Sequence, residues 1–218
     1  MNKDNEFIPS FKYDWLTPLY DPLIGLILPE RSFKNRLVNQ ALINSGEKVL
    51  DIGCGTATLT LLIKRKHRDA TVMGLDADGK VLEIAKTKSA TSNLDIVFDH
   101  AMAFELPYSN NYFDHVFSSM VFHHLTREKK ILTIKEVLRV LRLGGWFHVA
   151  DWGKPHNLLS RISFLVIQLF DGFENTSDNI NGLLPQMFRD CGFEEVRETT
   201  TYKTVFGTIS MYKVRKSV

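Results

Sequence analysis

A glycine turn between a short strand and a helix carries the clearest chemistry in this sequence. Residues 49–60 read Val-Leu-Asp-Ile-Gly-Cys-Gly-Thr-Ala-Thr-Leu-Thr, so one apolar run leads into the turn and another follows it. Gly53 and Gly55 permit positive φ angles and let a ligand approach the main chain, which a Cβ atom would block. Asp76 ends the next apolar run, where a carboxylate can bind a ribose. The spacing therefore predicts an adenosine site.

Further polar side chains follow the fourth and fifth predicted strands. Ser119 ends one strand and precedes the pair His123 and His124, and Asp151 ends the next strand. Ligands of open parallel sheets bind outside the carboxyl ends of the strands, so these side chains are expected beside the glycine turn. Adjacent histidines on a helix diverge by about 100°, which makes them a poor metal chelate, and no metal is predicted. His148, inside the fifth strand, is interpreted as a hydrogen-bonded core residue.

The composition predicts one soluble domain. The chain has 218 residues of which 44% are hydrophobic, enough for one complete α/β core and too few for two large domains. The net charge is only +2, and the basic clusters at residues 64–68 and 213–216 fit a helix end and a solvated tail better than a nucleic-acid surface. Cys54 and Cys191 form neither a disulfide framework nor a zinc motif. Residues 1–10 do not resemble a signal peptide, and a cytoplasmic protein is expected.

Strands and helices alternate along the chain, which is typical of a parallel sheet covered on both faces. Glycines 144 and 145 are expected to end the helix over residues 127–141, and residues 155–181 have an irregular pattern. The predicted strands cover residues 48–52, 71–75, 94–98, 115–119, 146–150, 193–202 and 205–214. The predicted helices cover residues 57–67, 78–90, 127–141 and 183–190, with an interrupted helical region over 12–44.

Four blocks of the sequence together resemble the class I S-adenosylmethionine-dependent methyltransferases. The similarity is greatest to the branch that contains the ubiquinone and menaquinone C-methyltransferases, and it extends over nearly the whole chain. The early pair Tyr20 and Asp21 is similar to that branch as well. The four blocks are residues 49–60, 74–76, 106–116 and 136–155.

The resemblance implies a Rossmann-like α/β fold with a seven-stranded, mostly parallel sheet, helices on both faces and a terminal antiparallel strand. It implies a single methyltransferase domain over residues 1–218. Within that domain, residues 1–44 are expected to form a helical cap, residues 45–153 the cofactor-binding core, residues 154–182 a substrate lid and residues 183–218 the last helix and strands.

The resemblance also implies S-adenosylmethionine as cofactor and S-adenosylhomocysteine as product. Backbone donors of the glycine turn and the helix that follows suit the amino acid end of the cofactor, and the Asp76 carboxylate suits its ribose hydroxyls. For Asp51, support of the loop amides is an equally good interpretation. The predicted cofactor-binding residues are Asp51, Gly53, Gly55, Thr60, Asp76, Ala77, Met102, Ala103 and Ser119.

Two positions depart from the family pattern. Ala57 stands where a third glycine is common, and Met102 stands where the family usually places Asp or Asn for the adenine amine. A methionine side chain packs against an adenine face but does not accept that amine hydrogen bond. Asp99 and His100 lie close enough in sequence to be candidates for the missing acceptor.

The acceptor of the methyl group is predicted to be a hydrophobic or aromatic small molecule. Residues 11–30 and 155–181 are rich in apolar and aromatic side chains, as expected of an apolar pocket with a lid. Asp151 corresponds to an acidic residue of the similar quinone enzymes and is the candidate catalytic residue, able to orient or deprotonate an acceptor. A structural hydrogen bond is the alternative interpretation of this residue. The candidate substrate contacts are Tyr13, Tyr20, His123, Trp152 and Phe170.

The sequence leaves the methylated atom open among oxygen, nitrogen and carbon. One alternative is N-methylation of a phospholipid at a membrane surface, and a possible peripheral membrane contact is assigned to residues 158–170. Another is a methyltransferase-like binding protein without turnover, and a nicotinamide dehydrogenase is a distant third. Arsenite methylation is disfavoured because it needs more thiols. No nucleic-acid partner is expected, and the protein is predicted to be a monomer or a homodimer.

Replacement of Asp76 by alanine tests the cofactor assignment. We expect affinity for S-adenosylmethionine, measured by titration calorimetry, to fall at least about tenfold, because a charge-assisted hydrogen bond to the ribose is lost. Unchanged affinity in a folded Asp76→Ala variant would show that the motif alignment is wrong.

Overall fold

The computed structural model describes residues 30–217 as one seven-stranded sheet with helices on both faces. The strands are β1 Lys48–Ile52, β2 Thr71–Asp76, β3 Val97–His100, β4 Phe113–Ser119, β5 Leu141–Gly153, β6 Glu195–Lys203 and β7 Thr208–Arg215. The helices are α1 Glu30–Asn39, α2 Thr58–Lys66, α3 Gly79–Thr91, α4 Arg127–Val140, α5 Leu158–Asp171, α6 Phe173–Ile180 and α7 Leu184–Asp190, with a 3₁₀ turn at Phe122–His124.

The strand order is β3-β2-β1-β4-β5-β7-β6. Strand β1 pairs in parallel with both β2 and β4, so the chain changes direction across the sheet beside β1, and a crevice opens at the carboxyl ends of these strands. Strand β7 runs antiparallel between β5 and β6. The predicted fold class is confirmed, including the antiparallel strand at the end of the chain.

The central strands are buried on both faces, which explains their nearly continuous apolar sequence. Leu50 and Ile52 contribute to the core beneath α4 and α7, whereas Val49 contributes to the core beneath α1 and α2. Alternate residues of one strand thus pack into the cores on opposite faces of the sheet, because successive side chains of a strand point to opposite faces. The sheet is a rigid platform for the loops at its carboxyl edge.

Two predictions along the second half of the chain are wrong. Strand β5 begins at Leu141, directly after α4, and includes Gly144 and Gly145, so these glycines do not form a loop between helix and strand. Residues 155–181 are not irregular, because they form α5 and α6. Strand β3 also lies later than predicted, at Val97–His100 rather than at residues 94–98. Residues 1–29 lie outside the described part of the chain.

Helix α5 presents its apolar side chains to solvent. It begins with a capping box, in which the Asn157 side chain accepts from the Ser160 amide at 2.8 Å and the Ser160 hydroxyl accepts from the Asn157 amide at 3.2 Å. The buried face includes Ser160 and Gln168, whereas Leu158 and Phe170 are 75% and 83% exposed. Apart from the buried Phe164, the usual rule of apolar inside and polar outside is reversed here. None of the described helices is long and apolar enough to cross a membrane.

A buried ion pair connects α4 and α6 on the sheet. Lys130 is fully buried and lies 3.3 Å from Asp178, which also pairs with Arg127 at 2.9 Å. Removal of Asp178 would leave the Lys130 ammonium as an uncompensated buried charge, so the pair fixes the position of α6 relative to α4. Helix α6 in turn carries Asn175 and Asn179, which contact the carboxyl edge of the sheet.

Two buried histidines form a hydrogen-bonded chain across β4 and β5. The His115 Nε2 atom lies 3.2 Å from Glu47, His115 Nδ1 lies 3.1 Å from His148 Nε2, and the Gln40 amide nitrogen lies 3.4 Å from His148 Nδ1. These contacts are mutually consistent when both rings are neutral, with His148 donating to His115 and His115 donating to Glu47. The interpretation of His148 as a hydrogen-bonded core residue is confirmed.

The histidine chain predicts loss of stability in acid. Burial lowers the pKa of His148 well below its ordinary value, with the His115 charge adding to the effect, and burial also lowers the pKa of His115. Below pH 6.5 these histidines therefore bind protons in the unfolded chain but not in the folded chain. The stabilisation from the neutral histidines is fully present above that pH, and the free energy of unfolding decreases as the pH falls. For one such histidine, the free energy of unfolding decreases by about 1.4 kcal/mol between pH 7.5 and pH 5.5.

Urea unfolding of wild type and His148→Gln between these pH values measures this effect. Over this interval, we expect the free energy of unfolding of the variant to decrease by at least about 1 kcal/mol less than that of the wild type. This comparison does not depend on the stability of the variant at pH 7.5. His67→Gln, at the end of α2, is the matched control and should keep the wild-type dependence. An unaltered pH dependence in His148→Gln would contradict the assignment.

Candidate active site

The glycine turn after β1 places its two glycines in different surroundings. Gly53 has φ +64°, and a Cβ atom there would lie 2.4 Å from the Val121 side chain. Gly55 has φ +52°, and a Cβ atom there would meet nothing within 4 Å. Gly53 therefore allows close packing against the loop after β4, whereas Gly55 faces open space that a ligand can occupy. Ala57 is also left-handed, with φ 66°, so it adopts the backbone of the glycine that it replaces.

Beneath the turn, Asp51 is fully enclosed and accepts a hydrogen bond of 2.7 Å from the Thr60 hydroxyl. Burial raises the pKa of Asp51 to about 7, against the opposing effect of the Thr60 hydrogen bond. The pair connects the end of β1 to the first turn of α2. This geometry supports the structural interpretation of Asp51 from the sequence, because the carboxylate is bonded to the helix that follows the turn.

Asp76 ends β2 beside the same turn. Its carboxylate accepts from the Gly55 amide at 2.8 Å and from the Asp78 amide at 3.0 Å, and burial raises its pKa. The carboxylate thus connects the glycine turn with the start of α3, and each oxygen retains a further lone pair for a hydroxyl. Asp76→Ala would also remove this support of the turn. The Ala77 carbonyl lies 2.8 Å from a ring nitrogen of His100.

The residues near the predicted adenine position are already engaged. Asp99 accepts a hydrogen bond of 2.8 Å from the Tyr108 hydroxyl, and His100 contacts the Ala77 carbonyl. Both residues therefore have a partner within the protein, and the Asp99 carboxylate retains further acceptor capacity. Met102 and Ala103 are half-buried in the loop after β3.

Unpartnered hydroxyl groups lie at the end of β4. Ser118 pairs with Ile52 of β1 and Ser119 with Ala150 of β5, so both serines lie between the glycine turn and the end of β5. Within the described residues, neither hydroxyl has a hydrogen-bond partner, although both oxygen atoms are buried. Unpaired buried hydroxyls are costly, which makes Ser119 a plausible contact for a bound molecule, as the sequence predicts.

The Asp151 carboxylate is the most heavily bonded group at the carboxyl edge of the sheet. Residue Asp151 is fully buried at the end of β5. One oxygen accepts from two backbone amides of the loop after β4, and the other accepts from an imidazole, an amide side chain and a backbone amide. The donors are Val121 N at 2.9 Å, Phe122 N at 2.7 Å, His123 Nδ1 at 2.8 Å, Asn179 Nδ2 at 2.9 Å and Trp152 N at 2.8 Å.

His123 and His124 converge on Asp171 at the end of α5. His123 Nε2 lies 3.7 Å and His124 Nδ1 lies 3.5 Å from the Asp171 carboxylate oxygens, and the two ring centroids are 3.9 Å apart. Burial acts against the charged form of His123, but the charge and hydrogen bond of Asp151 raise its pKa overall. Burial and the His123 charge lower the pKa of His124, and burial raises the pKa of Asp171.

An aromatic wall borders this cluster. The Trp152 side chain is buried, with its ring 6.4 Å from that of His123 in an edge-to-face arrangement. Phe164 of α5 lies on the other side, 5.3 Å from Trp152. The polar cluster therefore has a flat apolar surface beside it, a combination typical of sites for aromatic or hydrophobic small molecules.

The structure groups most of the predicted site residues at one edge of the sheet. Tyr13 and Tyr20 lie outside the described residues, and Phe170 is on the exposed face of α5. Sequence analysis missed Asp171 and Asn179, because both belong to the stretch that it interpreted as irregular. A capping signal at Asn157 was available and would have indicated a helix leading to Asp171.

The strand order, the glycine turn at the topological switch and the acid at the end of β2 together define a class I methyltransferase. Residues 49–145 match the family described as a methyltransferase domain. An uncharacterised methyltransferase from Synechocystis is 30% identical over 190 residues, which are 87% of this chain and 87% of that protein. The chain therefore belongs to the S-adenosylmethionine-dependent methyltransferases.

Two further relatives agree with this assignment. A demethylmenaquinone methyltransferase from Thermus thermophilus is 31% identical over 142 residues, which are 64% of each chain. A crystal structure of an S-adenosylmethionine-dependent methyltransferase from Methanosarcina mazei has the same fold, with a TM-score of 0.67 and 20% identity. It covers 81% of this chain and 95% of that one.

The cofactor is S-adenosylmethionine, and the turn after β1 has room for it. The missing Cβ of Gly55 faces open space, the Asp76 carboxylate lies 2.8 Å from the Gly55 amide, and the Ser119 hydroxyl is unpartnered. Gly55 allows the cofactor to approach the main chain closely, the Asp76 carboxylate is an anionic acceptor, and Ser119 provides a hydroxyl. S-adenosylmethionine, an amino acid joined to a nucleoside, requires groups of these kinds.

Substitution of the two glycines separates packing from ligand binding. Both Gly53→Ala and Gly55→Ala place alanine in the left-handed region, at a cost of about 1–2 kcal/mol each. We expect Gly53→Ala to lose more stability than Gly55→Ala because its methyl group meets Val121. Gly55→Ala should weaken S-adenosylmethionine binding at least about tenfold, since its methyl group enters the ligand space.

Thermal unfolding and titration calorimetry on the same preparations measure both effects. A second change, Val121→Ala, should restore part of the stability of Gly53→Ala and none of that of Gly55→Ala. Equal stabilities of the two glycine variants, with no rescue by Val121→Ala, would refute the distinction.

Proposed function

We propose that the protein transfers a methyl group from S-adenosylmethionine to a hydrophobic or aromatic small molecule. The contact between the Gly53 position and Val121 carries the proposal, because it brings the cofactor turn against the loop that leads to His123. Cofactor and acceptor groups thus share one crevice. The demethylmenaquinone relative, whose name indicates an aromatic acceptor, supports this class of substrate.

In this proposal residues 45–153 bind the cofactor. The turn at Gly53 and Gly55 receives its amino acid end, with the Gly55 amide bonded to Asp76. Asp76 also accepts from its ribose, and Met102 and Ala103 lie beside its adenine. Ser119 contributes its free hydroxyl, and the Ala77 backbone lies next to Asp76. Asp51 and Thr60 hold the turn from below. The cofactor supplies an electrophilic methyl group, so the protein must mainly position the acceptor and exclude water.

We assign positioning of the acceptor to the group around His123. Asp151 was predicted from the sequence as a catalytic residue, but both its oxygens already accept hydrogen bonds from the protein. Asp151 is therefore proposed as a positioning residue. Its acceptor oxygen keeps the proton of His123 on Nδ1 and leaves the Nε2 lone pair directed toward the Asp171 side, where the acceptor would bind.

The segment over residues 154–182 is proposed as the lid of the acceptor site. Helix α5 supplies Phe164 to the aromatic wall, and the Gln168 side chain donates to the Thr176 hydroxyl of α6 at 3.0 Å. The Asn179 side chain ties α6 to Asp151. The lid thus reaches the site through polar contacts as well as apolar packing. Residues 183–218 are proposed to complete the sheet, and most of the predicted cap over residues 1–44 lies outside the described residues.

Methylation of a lipid at a membrane surface is the second candidate function. The exposed face of α5 favours it, because apolar side chains on one side of a short helix suit the boundary between headgroups and acyl chains. The exposed side chains of this face are Leu158, Leu159, Ile162, Leu165, Val166, Leu169 and Phe170, and Phe173, the first residue of α6, is also exposed. This candidate requires binding to phospholipid vesicles, which a soluble aromatic acceptor does not.

A product assay with His123→Asn tests the proposed function. The asparagine side chain is able to donate to Asp151 but lacks an atom at the Nε2 position. We expect methyl transfer to fall about 100-fold or more because the acceptor loses its positioning group, while affinity for S-adenosylmethionine changes by less than about threefold. Mass spectrometry of S-adenosylhomocysteine and methylated product, over a panel of hydroquinones, phenols, amines and phospholipid vesicles, gives the rate.

His67→Asn is the matched control and should keep wild-type turnover. Binding of S-adenosylmethionine by the wild type without transfer to any acceptor would instead support a methyltransferase-like binding protein. Transfer only to vesicle lipids would support the second candidate. Wild-type turnover in His123→Asn would overturn the role of His123 and leave the cofactor site intact.

A further inference from the structure

His123, His124 and Asp171 form the one group in the described chain with the composition and proximity of a metal site. One ligand atom from each residue lies within 4.8 Å of the others. His123 and His124 come from the 3₁₀ turn after β4, and Asp171 is the last residue of α5. The divergence expected of adjacent histidines on a helix does not separate these rings, whose centroids are 3.9 Å apart.

The distances within the group are too long for good hydrogen bonds. The Asp171 oxygens lie 3.7 Å from His123 Nε2 and 3.5 Å from His124 Nδ1, whereas good N–H···O bonds are about 2.7–3.2 Å long. Ligand atoms bound about 2.0–2.1 Å from a tetrahedral metal lie about 3.3–3.4 Å from one another. The two distances involve different oxygens of Asp171, Oδ2 for His123 and Oδ1 for His124. One ligand atom from each residue lies within 4.8 Å of the others, so the three side chains must move closer together to reach the spacing around a bound ion.

The contact between His123 and Asp151 provides an independent observation. Asp151 accepts from His123 Nδ1 at 2.8 Å, which leaves the lone pair of a neutral imidazole on Nε2, the atom directed at Asp171. Histidines that bind metals almost always donate their other ring N–H to a carboxylate or carbonyl, which fixes the tautomer. Asp151 is itself immobilised by four further donors, so this orientation is built into the fold.

The chemistry of the donors selects the kind of ion. Two imidazoles and one carboxylate suit Zn²⁺, Fe²⁺ and similar first-row ions, whereas Mg²⁺ and Ca²⁺ prefer oxygen ligands. Three protein ligands leave at least one coordination position open, as in catalytic metal sites. Among the described residues, no backbone or side-chain group donates a hydrogen bond to the Asp171 carboxylate that would compete with a metal ion.

We propose that His123, His124 and Asp171 bind a divalent first-row transition metal ion, with Zn²⁺ as its representative. The open position would receive an oxygen of the methyl acceptor, and the bound cation would lower the pKa of a hydroxyl placed there, its proton passing to solvent. This use of the ion rests on the proposed function, whereas the binding of the ion does not. The inferred acceptor is accordingly one with a hydroxyl or enol oxygen beside an apolar body.

Calorimetric titration with Zn²⁺ tests the site without methyl transfer. Protein treated with a chelator and then freed of it is titrated with Zn²⁺ alone, with Mg²⁺ as the contrasting ion. We expect one Zn²⁺ per chain and no measurable binding of Mg²⁺. Asp171→Asn and His124→Gln should each weaken Zn²⁺ binding at least about tenfold, because each removes a ligand. Visible absorption of bound Co²⁺ provides a second, spectroscopic measure.

His156→Gln is the matched control, since His156 contacts Thr208 outside the group and should leave Zn²⁺ binding unchanged. Circular dichroism identifies any variant that fails to fold. Asp171→Asn preserves size at the end of a helix, so it remains informative if His124→Gln unfolds. Absence of stoichiometric Zn²⁺ binding by the wild type, or wild-type affinity in the folded Asp171→Asn variant, would overturn the site.

The two proposals fail separately. A protein that transfers methyl groups but takes up no Zn²⁺ would retain the proposed function and lose the metal site. A protein that binds Zn²⁺ through these residues but methylates nothing would retain the metal site and lose the proposed function.

Discussion

The arrangement of the acceptor side of the crevice depends on a single buried carboxylate. Asp151 at the end of β5 accepts hydrogen bonds from the loop after β4, from its own strand and from α6. A carboxylate withdrawn from water is very costly unless its oxygens are bonded, and here donors from three elements satisfy it. Displacement of any one of these elements would remove part of that compensation. The same group that stabilises the edge of the sheet therefore determines where His123 points.

The contact between the turn after β1 and the loop after β4 links this arrangement to the cofactor side. Gly53 is required because Val121 occupies the space of its Cβ, and the Val121 amide is itself bonded to Asp151. Gly55, two residues later, has open space at the same position. The turn is thus close-packed on the side of the acceptor and open where a ligand is expected. In the proposed function, this packing sets the position of the cofactor turn relative to the loop that leads to His123.

The sequence was sufficient for the cofactor half of the molecule and insufficient for the acceptor half. Strands β1 and β2 are buried on both faces, so their apolar runs, the glycine turn and Asp76 are visible as a pattern. The apolar residues of helix α5 recur at helical spacing, but most of them face solvent and Gln168 is buried, so the sequence did not indicate which face packs on the domain. The convergence of His123 with Asp171 depends on where α5 ends in space. No local pattern of residue types encodes such a long-range relation.

The contacts of α5 show how the helix is held. Its exposed apolar stripe contributes little to packing on the domain, whereas Phe164 is fully buried against Trp152. The capping box at Asn157 and the Gln168–Thr176 hydrogen bond add polar contacts near the two ends of the helix. Few side chains of α5 are buried, so local opening of the helix costs less than global unfolding. Asp171 is at the end of this helix, whereas His123 is fixed to the sheet through Asp151. Movement of α5 would therefore separate the carboxylate from the imidazoles, and the lid and the polar group beneath it would open together.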